Sequence, residues 1–89
     1  MATIIAREAL LHCGTAYQFQ GEQFGAVGVS FFVVDALPGG GPSLHTHPYA
    51  EVFVIQDGAV TFMVGDKTIK ATARQIVIVP PGMSEAIVP

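Results

Sequence analysis

Two histidines and a glutamate stand close together in the middle of the chain. His45 and His47 are one residue apart, and Glu51 follows four residues later. On an extended strand, residues i and i+2 point to the same face, so the two imidazoles project together, as binding of one ion requires. Glu51 opens the next predicted strand after a turn at Pro48, and its carboxylate would complete a facial set of ligands. Such a set is typical of iron(II) oxygenase-type sites, and manganese, nickel and zinc also accept it.

Taken alone, a His-x-His pair beside a proline is also typical of an exposed turn. The spacing of residues from Gly39 to Gly58, however, favours the metal site. Gly39 is followed by five residues, His45-Thr46-His47, three residues, Glu51, six residues and Gly58. This is the complete first motif of the cupin superfamily, and the chain resembles a small single-domain cupin over most of residues 15–88. The resemblance implies a β-barrel with His45, His47 and Glu51 as metal ligands inside it.

The second cupin motif, which usually reads Gly, five residues, Pro-x-Gly, two residues, His, three residues, Asn, is altered over residues 74–89. Pro80 and Gly82 match, while Arg74, Glu85 and Pro89 stand at the positions of the glycine, histidine and asparagine. The resemblance therefore leaves two interpretations of Glu85. As a fourth ligand, Glu85 would make a harder, more negative site that favours iron(II) or manganese(II) over zinc; its other possible role in the site is proton transfer. Alternatively, Glu85 faces solvent and the metal keeps more water, or the site is weak.

Other side chains with polar or reactive groups are weaker candidates. Tyr49 lies between the histidines and Glu51 and is a candidate for a polar contact to the site, with simple packing as the alternative. His12 and Cys13 are interpreted as a loop or packing pair rather than as ligands. Further residues are expected to line the barrel and give a pocket for a small organic ligand an apolar wall: Phe31, Phe53, Phe62, Met63 and Tyr49 itself.

Short apolar runs separated by glycine and proline predict seven to nine strands and no long helix. Period-2 alternation over Ala16–Gln20 indicates a half-buried strand with Tyr17 and Phe19 on its inner side. Residues 25–35 are apolar on both faces and predict a strand covered on both sides. Residues 2–11 lean towards strand, and residues 37–43 are a loop. Further strands are predicted at 51–55, Ala59–Val64, 67–73, 75–79 and 86–88.

The elements together predict an all-β sandwich or barrel, and the cupin resemblance implies a double-stranded β-helix of the jelly-roll type. Asp57-Gly58 predicts a hairpin, and Gly65-Asp66 a second tight turn. Cupins generally continue past the second motif with strands that close the barrel. The end at Pro89 therefore leads us to expect either a strand supplied by a partner subunit or a shortened chain.

Length and composition narrow the class of protein. Eighty-nine residues suffice for one domain, 1–89. Hydrophobic residues make up 51% and charged residues only 12%, which implies apolar outer faces and hence a homodimer or larger oligomer. A net charge of −3 with four basic residues argues against a nucleic-acid partner. The chain has no apolar run long enough to span a membrane and no signal-peptide layout. A single cysteine fits a reducing compartment, so we expect a cytoplasmic protein.

Two functions fit these features. The first is a metal-dependent cupin that acts on a small organic molecule, with dioxygenase chemistry or isomerase/decarboxylase chemistry as the family resemblance implies. The second is a non-catalytic cupin that binds or senses a small molecule, since a fold does not fix a function. A regulator would normally carry a DNA-binding segment, and these residues contain none, so the second function requires a free-standing binder.

Overall fold

The strands of this protein are short and join at tight turns, as the spacing of glycine and proline predicts. The structure is a computed structural model that describes residues 2–35, Thr46 and residues 48–88. Two short 3-10 turns occupy Arg7–Ala9 and Gly21–Phe24. The eight strands of the described residues are β1 Leu11–Cys13, β2 Ala16–Gln20, β3 Ser30–Asp35, β4 Glu51–Asp57, β5 Ala59–Val64, β6 Lys67–Thr72, β7 Ile76–Val79 and β8 Glu85–Val88.

These strands form two sheets, which confirms the all-β prediction. The first sheet has the order β1-β2-β3-β4-β7, and the second has the order β6-β5-β8. All pairs are antiparallel except β3 and β4, which run parallel with Phe32 opposite Phe53. This parallel pair brings the first residues of β3 and β4, Ser30 and Glu51, to the same end of the first sheet.

Aromatic side chains join the two sheets. Phe53 on β4 stacks on Phe32 of β3 with ring centroids 4.7 Å apart, and it meets Phe62 of β5 edge-on at 5.0 Å. Burying such rings removes a large apolar area from water and so stabilises the contact between the layers. The full buried apolar core consists of Ala16, Phe32, Val34, Phe53, Ile55, Val60, Phe62, Ala71, Val77, Val79 and Ile87.

The two glycine turns differ in what they connect. Gly65 has φ 60°, and the two-residue turn at Gly65-Asp66 joins β5 and β6 as a hairpin, with Val64 opposite Lys67. Gly58 also has a left-handed backbone, with φ 74°, but the hairpin predicted at Asp57-Gly58 is wrong. Here β4 and β5 lie in different sheets, so this turn carries the chain from one layer to the other.

The predicted inner side of β2 is also wrong. Tyr17 and Phe19 pair with Val33 and Phe31, on the face opposite the buried Ala16. Alternation shows which residues share a face, but it does not show which face meets the core. The inner positions of β2 are taken by the smaller Ala16 and by two glutamines, Gln18 and Gln20.

The N-terminal segment packs over this outer face. Arg7 lies over the ring of Tyr17, 4.6 Å from its centroid, and donates hydrogen bonds to Asp35 and, at 2.8 Å, to Gln56. Desolvation lowers the pKa of Arg7, but Asp35, Tyr17 and Glu8 together outweigh it. The pKa of Arg7 is therefore raised, and its guanidinium remains cationic.

Other predicted elements differ from the structure at their ends. The strand predicted for residues 25–35 begins only at Ser30, and Val27 and Val29 lie in the preceding turn, 43% and 51% exposed.

Among the residues expected to line the interior, Phe53 and Phe62 do so. Phe31 faces outward, and Met63 and Tyr49 are 43% and 48% exposed. The predicted loop 37–43 lies outside the described residues.

Candidate metal centre

The predicted ligands belong to three parts of the chain, and the structure describes two of them. His45 and His47 lie outside the described residues. Thr46 between them is exposed, and the chain reaches β4 through the exposed residues 48–50. The other two predicted ligands, Glu51 and Glu85, are each the first residue of a strand.

Glu51 faces the interior of the sandwich. It alternates in phase with the buried Phe53 and Ile55 along β4 and is itself 4% exposed. Its partner on the neighbouring strand is Val79, the last residue of β7. A carboxylate inside an apolar core is costly unless other groups or a cation balance its charge. Glu51 therefore has the placement of a site residue rather than of a turn residue.

Glu85 is also buried. It is 2% exposed, opens β8 opposite Val64, and is in phase with the buried Ile87. The predicted strand began one residue later, at 86. The interpretation in which Glu85 faces solvent is wrong, because the strand turns this side chain into the interior.

The strand register places both carboxylates at one end of the sandwich. β7 ends at Val79 opposite Glu51, and the short connection over residues 80–84 leads directly to Glu85. This connection is tied to the second sheet, since the N–H of Gly65 donates to the carbonyl of Ser84 at 2.8 Å. Within the described ranges, no three His, Cys, Asp or Glu residues are grouped so that they could hold a metal ion. The described part of the set therefore consists of two buried oxygen donors.

A cleft opens beside the beginning of β4. It has a volume of about 500 Å³ and is bordered by Tyr49, Ala50 and Val52 on one side and by the segment leading into β3 on the other. A smaller cavity extends from Tyr49 and Ser30 to Glu51 and Phe32. Tyr49 lines both spaces and therefore lies between the cleft and Glu51.

The sequence did not point to the opposite wall of the cleft. This wall is formed by Gln20, Glu22, Val27, Gly28, Val29 and Ser30. No spacing pattern connects these residues with Glu51, because the parallel pairing of β3 and β4 alone brings them together. Among the described residues, the lining of the cleft contains one acidic residue, Glu22, and no basic residue.

The remaining histidine lies elsewhere. His12 is exposed on β1 and stacks on Tyr17, with ring centroids 4.4 Å apart and an interplanar angle of 14°. This agrees with the interpretation of His12 as a packing residue. β1 itself, which also contains Cys13, was not predicted.

The comparison with protein families identifies the class of protein. The two β-sheets form a sandwich of the jelly-roll type, with Glu51 and Glu85 buried at one end. The family model described as "Cupin domain" matches residues 32–85, which is more than half of the chain. The chain therefore belongs to the cupin domain family. Neither a curated protein nor a solved structure gives a significant match. Within the described residues, no helix is both long enough and apolar enough to cross a membrane.

Proposed function

We propose that this cupin binds a divalent transition metal through His45, His47, Glu51 and Glu85 and uses it to act on a small organic molecule. The observation that carries the proposal is the burial of Glu51 and Glu85, 4% and 2% exposed, at the same end of the sandwich. The segment with the two histidines leads directly into Glu51. A buried carboxylate pair of this kind fits a cation, because charges inside a protein are paired or coordinate metals.

The donor set favours a hard metal. Two imidazoles and two carboxylates suit iron(II) or manganese(II) better than zinc, although nickel(II) and zinc(II) accept the same atoms. When bound, such a metal supplies a Lewis acid with open positions that polarises a bound group. Activities of the dioxygenase and the isomerase/decarboxylase type are both compatible with this chemistry.

The chain's own residues would bind and orient the organic molecule. The cleft beside β4 offers apolar contacts from Val29 and Val52 and a hydrogen-bonding hydroxyl from Tyr49. Glu85 would either complete the ligand set or transfer a proton from its buried position. We assign Glu85 and Tyr49 as the residues closest to the reaction.

A non-catalytic binding or sensing module is the second candidate function. It is favoured by Glu85 itself, which replaces the third imidazole expected from the family resemblance. One measurement distinguishes the two functions. A catalytic cupin converts the molecule it binds, whereas a binding module releases it unchanged, as mass spectrometry of the molecule after incubation with metal-loaded protein would report.

Metal content tests the proposal directly. Purified wild-type protein should contain iron or manganese by elemental analysis, and His47→Ala should lose most of it. His12→Ala is the matched control, because His12 stacks on Tyr17 outside the motif, and its metal content should equal that of the wild type. Equally low metal in wild type and His47→Ala would refute the metal site and the enzymatic function with it.

Glu85→Gln tests the fourth ligand. The amide keeps the shape of the side chain and removes its charge. We expect manganese(II) affinity, measured by calorimetric titration, to fall on the order of tenfold or more. The metal-free protein should keep its thermal stability, since a neutral amide costs less to bury than a carboxylate. Unchanged affinity would exclude Glu85 as a ligand and leave the other three residues in place.

A further inference from the structure

The outer edge of β7 lacks the features that usually protect the edge of a sheet. β7 ends the five-stranded sheet, and no strand of the described residues pairs with its second edge. Its four residues are Ile-Val-Ile-Val, β-branched and uncharged throughout. Proteins usually protect an open edge with lysine, proline or a bulge. None of these interrupts Ile76–Val79, so this edge is a template for pairing with another strand.

The backbone of β7 presents hydrogen-bonding groups along this edge. The N–H of Ile55 donates to the carbonyl of Gln75 at 3.0 Å, where β7 joins β4. In an antiparallel pair only every second residue bonds to the neighbouring strand, so Val77 continues these bonds to β4. The alternate residues, Ile76 and Ile78, therefore direct their N–H and C=O groups to the open edge.

The side chains of the same two residues make the adjoining outer face apolar. Ile76 and Ile78 are 62% and 66% exposed, and they lie opposite Val54 and Val52 of β4. These four side chains form a continuous patch without charge. Exposed apolar patches of this kind mark interaction surfaces. Because this patch has no charged residue, it cannot form ion pairs with a charged partner.

We propose that β7 pairs with β7 of a second copy of the chain, antiparallel across a two-fold axis at Val77. In this register Ile76 lies opposite Ile78 of the partner subunit, and both residues have their hydrogen-bonding groups free to meet. Val77 lies opposite Val77 of the partner subunit in a non-hydrogen-bonded pair. The two five-stranded sheets then join into one, and the four-residue patches of both copies become neighbours.

The partner strand that best fits β7 is β7 of a second copy. A two-fold interface requires a self-complementary surface, and this register satisfies Ile76 and Ile78 of both copies reciprocally. A register centred on Ile78 would place Ile76 opposite Pro80, which has no N–H to donate. The proposal does not depend on the metal site, since none of the four patch residues is a proposed ligand, but the patch shares Val52 with the cleft.

The mass in solution tests the proposal with a matched control. By light scattering, the wild type should have twice the chain mass of 9.3 kDa. Ile78→Lys should have the mass of one chain, because a lysine on an open edge strand opposes pairing with another strand. Leu11→Lys should remain a dimer, since Leu11 is equally exposed at 64% but lies on β1, at the opposite edge of the same sheet. A monomeric wild type, or a dimeric Ile78→Lys, would overturn the proposal.

Two further variants test the register in which β7 pairs with β7 of the second copy. Ile78→Pro removes the N–H directed to the partner but none of the bonds to β4, so it should be monomeric with an unchanged circular dichroism spectrum. Val77→Cys in a Cys13→Ser background should form a covalent dimer on mild oxidation, because non-hydrogen-bonded pairs have Cα atoms about 4.5 Å apart, within disulfide range. A dimer that survives Ile78→Pro and does not cross-link through position 77 would have to use another surface.

Discussion

Arg74 has a backbone conformation that favours glycine. Its φ is 74°, in the left-handed region, and its N–H donates to the carbonyl of Ile55 at 2.8 Å. The second cupin motif has glycine at this position, so the chain keeps the turn while replacing the residue that forms it most easily. A side chain in this conformation costs roughly 1–2 kcal/mol.

Replacing Arg74 should therefore stabilise the protein only when the Cβ atom is removed. Arg74→Gly is expected to raise the free energy of unfolding by about 1 kcal/mol, after the greater chain entropy of glycine is deducted. Arg74→Ala removes the same charge but keeps the strained Cβ, so it should give no comparable gain. Urea denaturation of the two variants measures the difference, and equal stabilities would show that the turn is not strained.

At the scale of elements, the turn that leads into β3 depends on a close backbone approach. A Cβ atom on Gly21 would lie 2.0 Å from the carbonyl oxygen of Val27 and 2.2 Å from that of Val29. The N–H of Gly21 also donates to the hydroxyl of Ser30 at 3.1 Å, and its carbonyl accepts from the N–H of Val27. The wall of the cleft is therefore built around this glycine.

Gly21→Ala should destabilise the protein and deform the cleft. Backbone atoms cannot move aside as a flexible side chain can, so we expect a loss of about 1–3 kcal/mol in the free energy of unfolding. Gly28→Ala is the control, since Gly28 lines the same cleft and a Cβ atom added there would meet nothing within 4 Å. Thermal unfolding should separate the two variants, and similar melting temperatures would contradict this account of the turn.

The elements also show how far the sequence determines the structure. Glycine and proline positions predicted β5 without error and the start of β4, because turns are local and need particular residues. β1 was missed, since three residues are too few for a periodic pattern. The parallel pairing of β3 with β4 depends on contacts distant in sequence, and local patterns do not contain it. The local motif spacing predicts Glu51 as a metal ligand, which stays a prediction, whereas no local pattern predicts the cleft wall at Ser30.

At the scale of the whole molecule, stability and assembly should be linked. Charged residues make up only 12% of the chain, and the outer face of β4 and β7 remains apolar. If β7 of a second copy pairs with β7, unfolding also separates the two chains. Each tenfold increase in protein concentration then adds about 1.4 kcal/mol to the free energy of unfolding of the dimer.

The melting temperature should therefore rise with protein concentration in the wild type. Leu11→Lys should show the same rise, because its substitution lies at the far edge of the sheet, on β1. Ile78→Lys should melt at a lower temperature that does not depend on concentration, since a monomer unfolds without dissociating. Calorimetric scans over two decades of concentration measure all three. A melting temperature independent of concentration in the wild type would mean that each copy folds alone and that pairing of β7 with a second copy contributes nothing to stability.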